Sequence, residues 1–170
     1  MEFTVRRCGP GDEAAVSLIG QATILETYAG LTDGNDLVEY VRRELSSEAF
    51  REILASDRAR VWVAETSVGR CMAGYAVALS EEDGEPFAAI ELKRLYLFYR
   101  FHGIGLGKRL MDEVLAFARA KGTRSISLQV HSKNANAIEF YERYGFEAVG
   151  EELFRAGTGE YRVVNMQLRL

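Results

Sequence analysis

The chain is poor in the residues that build metal sites and disulfide frameworks. Its two cysteines, Cys8 and Cys71, lie far apart and without CxxC spacing. Two buried, reduced thiols are expected from them, not a disulfide scaffold. Its two histidines, His102 and His131, form no cluster at ligand spacing, so no metal is expected. No apolar run approaches the ~20 residues that a bilayer-crossing helix requires. The first residues, Met1-Glu2-Phe3-Thr4-Val5-Arg6-Arg7, lack the apolar core of a secretion signal, and a cytoplasmic location is expected. No basic run or stripe appears, and the net charge is −4 with a pI near 5.4. Neither nucleic acid nor a membrane is therefore expected as a partner. Low-complexity tracts, linkers and internal repeats are also lacking.

What is present reads as one ordinary domain. Hydrophobic residues make up 48% of the chain and charged residues 27%. That composition over 170 residues suffices for a single domain, 1–170, with a sizeable core.

Alternation of Phe3 and Val5 suggests a first strand over Glu2–Arg7. Asp12 is a candidate N-cap for a helix through Tyr28, with Ala15, Leu18, Ile19, Ala22 and Leu25 on one face. Helical segments follow at Asp36–Leu45 and, capped by Ser47, at Glu48–Leu54. Val61–Glu65 and Met72–Leu79 read as strands around a turn at Ser67–Arg70. Glu81–Pro86 reads as an exposed loop and Ala88–Phe98 as a long strand. A helix over Lys108–Lys121 stops at Gly122. Ser125–Val130 is a strand, Ala135–Tyr144 a short helix ended by Gly145, and Glu147–Phe154 and Tyr161–Leu170 are closing strands. The order is β-α-α-β-β-β-α-β-α-β-β, a mixed sheet with packed helices.

The most informative run is His102-Gly103-Ile104-Gly105-Leu106-Gly107, between the long strand and the long helix. Three alternate glycines strip the β-carbons from a strand-to-helix turn. Its amides can then approach an anion closely, helped by the partial positive charge of the helix N-terminus. The turn is a candidate pyrophosphate cradle. A Walker A loop is excluded, because Arg109 follows Gly107-Lys108 where Ser or Thr is required. The dinucleotide pattern G-x-G-x-x-G fails too, because Lys108 occupies the third glycine position.

A second motif begins at Asn134, after the strand that leads to His131. It places Ala137, Phe140, Tyr141 and Tyr144 on one helix face and ends at Gly145-Phe146. Together the two motifs resemble the GNAT superfamily of acetyl-CoA-dependent N-acetyltransferases. The second motif matches the relatives' Asn-x-x-Ala-x-x-Phe-Tyr-x-x-x-Gly-Phe at every named position. The first, Gln/Arg-x-x-Gly-x-Gly/Ala, fits in two registers, starting at Arg100 or at His102. The His102 register sets its glycines directly against the helix and is preferred. A finer similarity to PaiA-like polyamine acetyltransferases lies in Thr23–Ala29, Ile90–Leu97 and Gly105–Lys108.

The resemblance implies an α/β (α+β) fold, with a mixed, mostly antiparallel sheet of about seven strands. Helices would cover both faces, and two central strands would splay apart. Acetyl-CoA is the implied cosubstrate. Its pantetheine arm would pair with the backbones of Leu95, Tyr96 and Leu97. Its diphosphate would lie on His102, Gly103, Ile104, Gly105, Leu106, Gly107 and Lys108, and Asn134 would add its amide. Tyr141 is the implied general acid and Glu91 the candidate base through water, with His131 less favoured. Glu91 also reads as a plain strand carboxylate or a partner of Arg94.

Acidic residues Glu26, Asp33, Asp36 and Glu39 gather between the first helices, where they would attract a cationic acceptor. Glu26, Tyr28 and Asp33 are the candidate acceptor-binding residues. The implied function is acetylation of a primary amine on a small cation such as spermidine. Acetylation of a protein N-terminus or lysine, or a non-catalytic acetyl-CoA sensor, stays open. The edge left by the two closing strands is one at which a homodimer could pair.

Overall fold

The computed structural model describes residues 2–80 and 89–170. The expected loop at Glu81–Pro86, and Ala88 at the start of the long strand, lie outside the described residues. The elements are β1 (Phe3–Arg7), α1 (Glu13–Tyr28), α2 (Gly34–Glu44), α3 (Ser47–Ala55), β2 (Ala59–Thr66), β3 (Met72–Ser80) and β4 (Ile90–Leu97). A 3-10 turn (Tyr99–Phe101) follows, then α4 (Leu106–Ala120), β5 (Ser125–His131), α5 (Ala135–Arg143), β6 (Glu147–Ala156) and β7 (Gly159–Arg169).

Seven strands form one sheet in the order β1-β2-β3-β4-β5-β7-β6. Only β4 and β5 pair in parallel; the other neighbours are antiparallel. Alternation along the strands feeds two cores, one on each face. Trp62 and Ala64 of β2 turn toward α4, where Leu110, Met111 and Val114 are fully buried. Burying each such side chain contributes roughly 1.5–3 kcal/mol. Val61 and Val63 turn to the opposite face, against Val16, Ile19, Ile24 and Phe50 of α1 and α3.

Three expectations change. The expected order counts two helices before β2, although three helical segments are read there from sequence; the structure has all three, with the chain turning at Leu45 and Ser46 between α2 and α3. Ser46, not Ser47, caps α3, accepting the Ala49 N–H at 3.1 Å. The buried face of α1 is also different. Leu18 and Leu25 are 72% and 56% exposed, and the face turned inward is Val16, Ile19, Gly20, Thr23 and Ile24. Gly20 sets this orientation: a Cβ there would meet the Tyr75 hydroxyl at 3.2 Å and the Phe50 ring at 3.4 Å, so the helix closes on the sheet through its glycine. Thr23 is buried without an unmet hydroxyl, since it donates to the Ile19 carbonyl at 2.8 Å.

Candidate active site

The site begins where β4 leaves β5. The two strands pair only at Ile90↔Ile126 and Glu91↔Ser127. On its other side β4 carries one residue more than β3: Val77 faces Arg94 and Ala78 faces Leu92, leaving Lys93 unopposed. Such a bulge bends its strand and raises the local twist, turning β4 away from β5. It also shifts the side-chain parity. Ile90 and Leu92 before it, and Leu95 and Leu97 after it, all pack on the α4 side. Tyr96 joins the core on the opposite face, and Arg94 lies over the Phe50 ring there at 5.8 Å. Past Glu91 the β5-facing edge of β4 borders a cleft.

The turn after β4 is tied down locally. His102 Nε2 lies 2.9 Å from the Leu97 carbonyl, which can only accept, so Nε2 carries the proton. The imidazole, edge-on to Tyr99 at 5.1 Å, is committed to the turn. Gly103 and Gly105 adopt φ values of +76° and +85°, the left-handed region that glycine enters without strain. Gly105 is the N-cap of α4 and supplies no side-chain cap. A Cβ at either glycine would meet no protein atom within 4 Å, so the turn is uncovered on that side at the start of α4. The helix starts at Leu106, two residues before the expected Lys108. Leu106 is buried in the core, so only its backbone is available to a ligand, whereas Ile104 is 56% exposed. Lys108 forms an exposed pair with Asp112 at 2.8 Å.

Helix α5 closes the other wall. Asn134 caps it, its Oδ1 accepting the Ala137 N–H at 3.2 Å, which leaves its NH2 to offer. Tyr141 is buried between the rings of Phe140 and Phe146. Burial, with a smaller contribution from nearby Tyr28, raises its pKa well above the usual phenol value, so the hydroxyl stays protonated.

These elements enclose a cleft of about 670 Å³, lined by Leu95, Tyr96, Leu97, His102, Gly103, Gly105, Gly107, Lys108, Asn134 and Tyr141 among others. A second cavity of about 290 Å³ lies on the α1–α2 side. The two share Tyr28, Leu92, Lys93, Tyr96 and Gln129, so they meet at the splay. The Tyr28 and Tyr96 hydroxyls stand 3.2 Å apart at this junction.

Glu91 lines the second cavity and not the first. Arg94 is not its partner: that guanidinium pairs with Glu44 of α2 at 3.1 Å. His131 also lines the second cavity, its Nδ1 accepting the Lys133 N–H at 3.1 Å. Burial, then the charge of Lys133, lowers its pKa, so the ring is neutral and offers Nε2–H, a donor rather than a base. Of the three expected acceptor residues, Tyr28 lines both of these cavities and Glu26 and Asp33 line neither. Glu26 accepts the Tyr99 N–H at 2.9 Å, and Asp33 caps α2 by accepting the Asn35 N–H at 2.8 Å. Their carboxylates serve the backbone. Asp36 is buried, accepting from the Tyr161 hydroxyl at 2.6 Å and the Thr158 N–H at 2.9 Å. Tyr40, Phe154 and Tyr161 line the second cavity without having been singled out from sequence. Their only signal is aromatic residues in segments otherwise read as helix face and closing strands.

The acetyltransferase (GNAT) domain model matches residues 28–170. The chain belongs to the GNAT acetyltransferase family. This GNAT chain is 36% identical over 122 residues to an uncharacterized N-acetyltransferase of Mycobacterium tuberculosis, covering 72% of this chain and 74% of that one. Among solved structures it is similar to the PaiA N-acetyltransferase of Thermoplasma acidophilum in complex with coenzyme A, with a TM-score of 0.81, 19% identity and all of both chains covered. It is also similar to Arabidopsis thaliana NAA60 in complex with acetyl-CoA, with a TM-score of 0.75, 15% identity and 99% of both chains covered. The GNAT chain is therefore an acyltransferase with the expected mixed, mostly antiparallel seven-stranded sheet and helices on both faces.

Proposed function

We propose that this GNAT enzyme holds acetyl-CoA in the larger cleft and moves the acetyl group to a primary amine in the smaller cavity. The observation that carries the reading is the meeting of the two cavities at the splay, with Tyr141 lining one and Glu91 the other. The residues fit the cosubstrate. The glycine turn leaves amides uncovered for a diphosphate, and the free edge of β4 can accept an extended arm as an added strand.

Acetyl-CoA supplies an activated acyl thioester. Amides from Gly103 to Lys108 bind the diphosphate, the backbones of Leu95, Tyr96 and Leu97 bind the pantetheine, and Asn134 offers its NH2. A backbone N–H in Leu95–Leu97 polarises the carbonyl. An alkylamine with a pKa near that of lysine, about 10.4, is neutral in only about one molecule in 2500 at pH 7. A base is therefore needed, and Glu91 takes the proton through water. Tyr141, kept protonated by its surroundings, donates to the departing sulfur.

A polyamine such as spermidine is one alternative acceptor, supported by the resemblance in Thr23–Ala29, Ile90–Leu97 and Gly105–Lys108. Glu26 and Asp33 each accept a backbone N–H and line neither cavity, so this alternative rests on the resemblance and not on those carboxylates. A homodimer paired through β6 is part of the proposal, since β6 is an outer strand with Val149 and Leu153 exposed. Thiol release from acetyl-CoA on adding amines tests the enzyme against a non-catalytic sensor. Release with at least one primary amine is expected; cofactor binding without release from any amine or peptide would overturn the reading.

A further inference from the structure

The inference rests on the reading that the second cavity receives the amine, and it concerns what that cavity can recognise. At about 290 Å³ it lies at the small end of small-molecule sites, ~300–1,000 Å³, which suits a compact body better than a long chain. Its walls include the rings of Tyr28, Tyr40, Tyr96, Phe154 and Tyr161. Several of their hydroxyls already have partners. Tyr161 donates to Asp36 at 2.6 Å and accepts the Asp33 N–H at 3.1 Å, while Tyr28 and Tyr96 meet each other at 3.2 Å. Phe154 stands edge-on to Tyr40 at 6.1 Å, closing the outer wall. These rings therefore offer mainly faces and edges, which suit apolar groups and a single ammonium.

Two of the four charged side chains in the described lining, Arg43 and Glu44, are in ion pairs. Glu44 is held by Arg94 at 3.1 Å and by Arg43 at 3.0 Å. Glu91 and Lys93 are the lining charges that make no ion pair among the described residues. They are one anion and one cation. His131 offers Nε2–H, which cannot accept from an ammonium. A first ammonium thus finds Glu91 and the ring faces; a second finds no unpaired carboxylate among the described lining residues and meets Lys93.

We propose that the acceptor is a primary amine carrying a single positive charge on an aromatic or branched hydrocarbon body, held against Phe154 and Tyr40, and that polycations are disfavoured.

The test compares kcat/KM for 2-phenylethylamine, isopentylamine, ethylamine and spermidine, with acetyl-CoA saturating and thiol release as the readout. Both apolar-bodied amines should exceed spermidine about tenfold or more, the discrimination an apolar pocket gives for a few buried carbons. Phe154→Ala should cut kcat/KM for 2-phenylethylamine about fivefold more than for ethylamine, at an unchanged melting temperature. Spermidine equal to or better than the apolar amines would overturn the inference and leave the enzymatic reading intact. An equal effect of Phe154→Ala on 2-phenylethylamine and ethylamine would also overturn it. Release from no amine at all would overturn both readings.

Discussion

At the residue scale the account turns on Tyr141 and Gly105. The Tyr141 hydroxyl has no hydrogen-bond partner among the described residues, and burial keeps it protonated. Its ring already packs against Phe140 and Phe146, so removing the hydroxyl leaves the core intact. Tyr141→Phe should lower kcat by about 100-fold, the lower end for loss of a general acid, with little change in the KM for acetyl-CoA. Steady-state kinetics measures both; unchanged turnover would remove Tyr141 from the chemistry. At Gly105 the open space means that a new side chain would enter the cleft, not the protein. The left-handed φ of +85° adds backbone strain of about 1–3 kcal/mol for any other residue. Gly105→Val should therefore weaken coenzyme A binding by calorimetry by more than any loss of melting temperature explains. Unaltered affinity would reject the His102 register.

At the element scale, Arg94 shows how the acceptor wall is attached to the sheet. Its side chain is 1% exposed and is tied to Glu44 at the end of α2. Two of its nitrogens, Nε and Nη1, have no hydrogen-bond partner among the described residues, and Glu44 supplies its ion pair, beside the Phe50 ring and the nearby Tyr40 and Tyr75. Glu44→Ala should destabilise the fold by about 3 kcal/mol, the low end for breaking such a pair, because Glu44 is itself 29% exposed. Chemical denaturation reads this directly, and a loss under about 1 kcal/mol would contradict it. The same scale shows what sequence could reveal. The glycine turn and α5 were legible because their residues act on neighbours: Gly105 starts its own helix and Asn134 caps its own. The face of α1 was not legible, because Gly20 and Thr23 are buried by contacts with β3 and α3, while Leu18 and Leu25 are left outside. The β4 bulge was equally hidden, because it exists only in the pairing with β3.

At the scale of the whole molecule, the second cavity joins α1, α2, β4, β5 and the β6–β7 hairpin, separated by more than 100 residues of chain. No local pattern announces such a site. Carboxylates that lie close in sequence have separate structural partners here. Asp36 anchors the hairpin to α2, accepting from Tyr161 and Thr158. The hydrogen bond from Tyr161, foremost, and that from the Thr158 amide hold its pKa below the usual carboxylate range. In the unfolded chain it titrates near about 3.9. The folded state is therefore favoured above that pH, and the advantage is lost as pH falls through the lower folded value. Asp36→Asn should flatten the fall in stability below about pH 4 and lower the melting temperature at neutral pH. Denaturation curves across pH 2–7 would show it; an acid limb identical to wild type would contradict the anchor.

Whether the bare turn after β4 grips the cosubstrate is the question on which the rest depends. A crystal structure of this chain grown with coenzyme A answers it most directly. The diphosphate should lie on the amides between Gly103 and Lys108, with the pantetheine along Leu95–Leu97 and the sulfur beside the Tyr141 hydroxyl. A diphosphate bound elsewhere, with the turn uncovered, would contradict the site and the chemistry assigned to it.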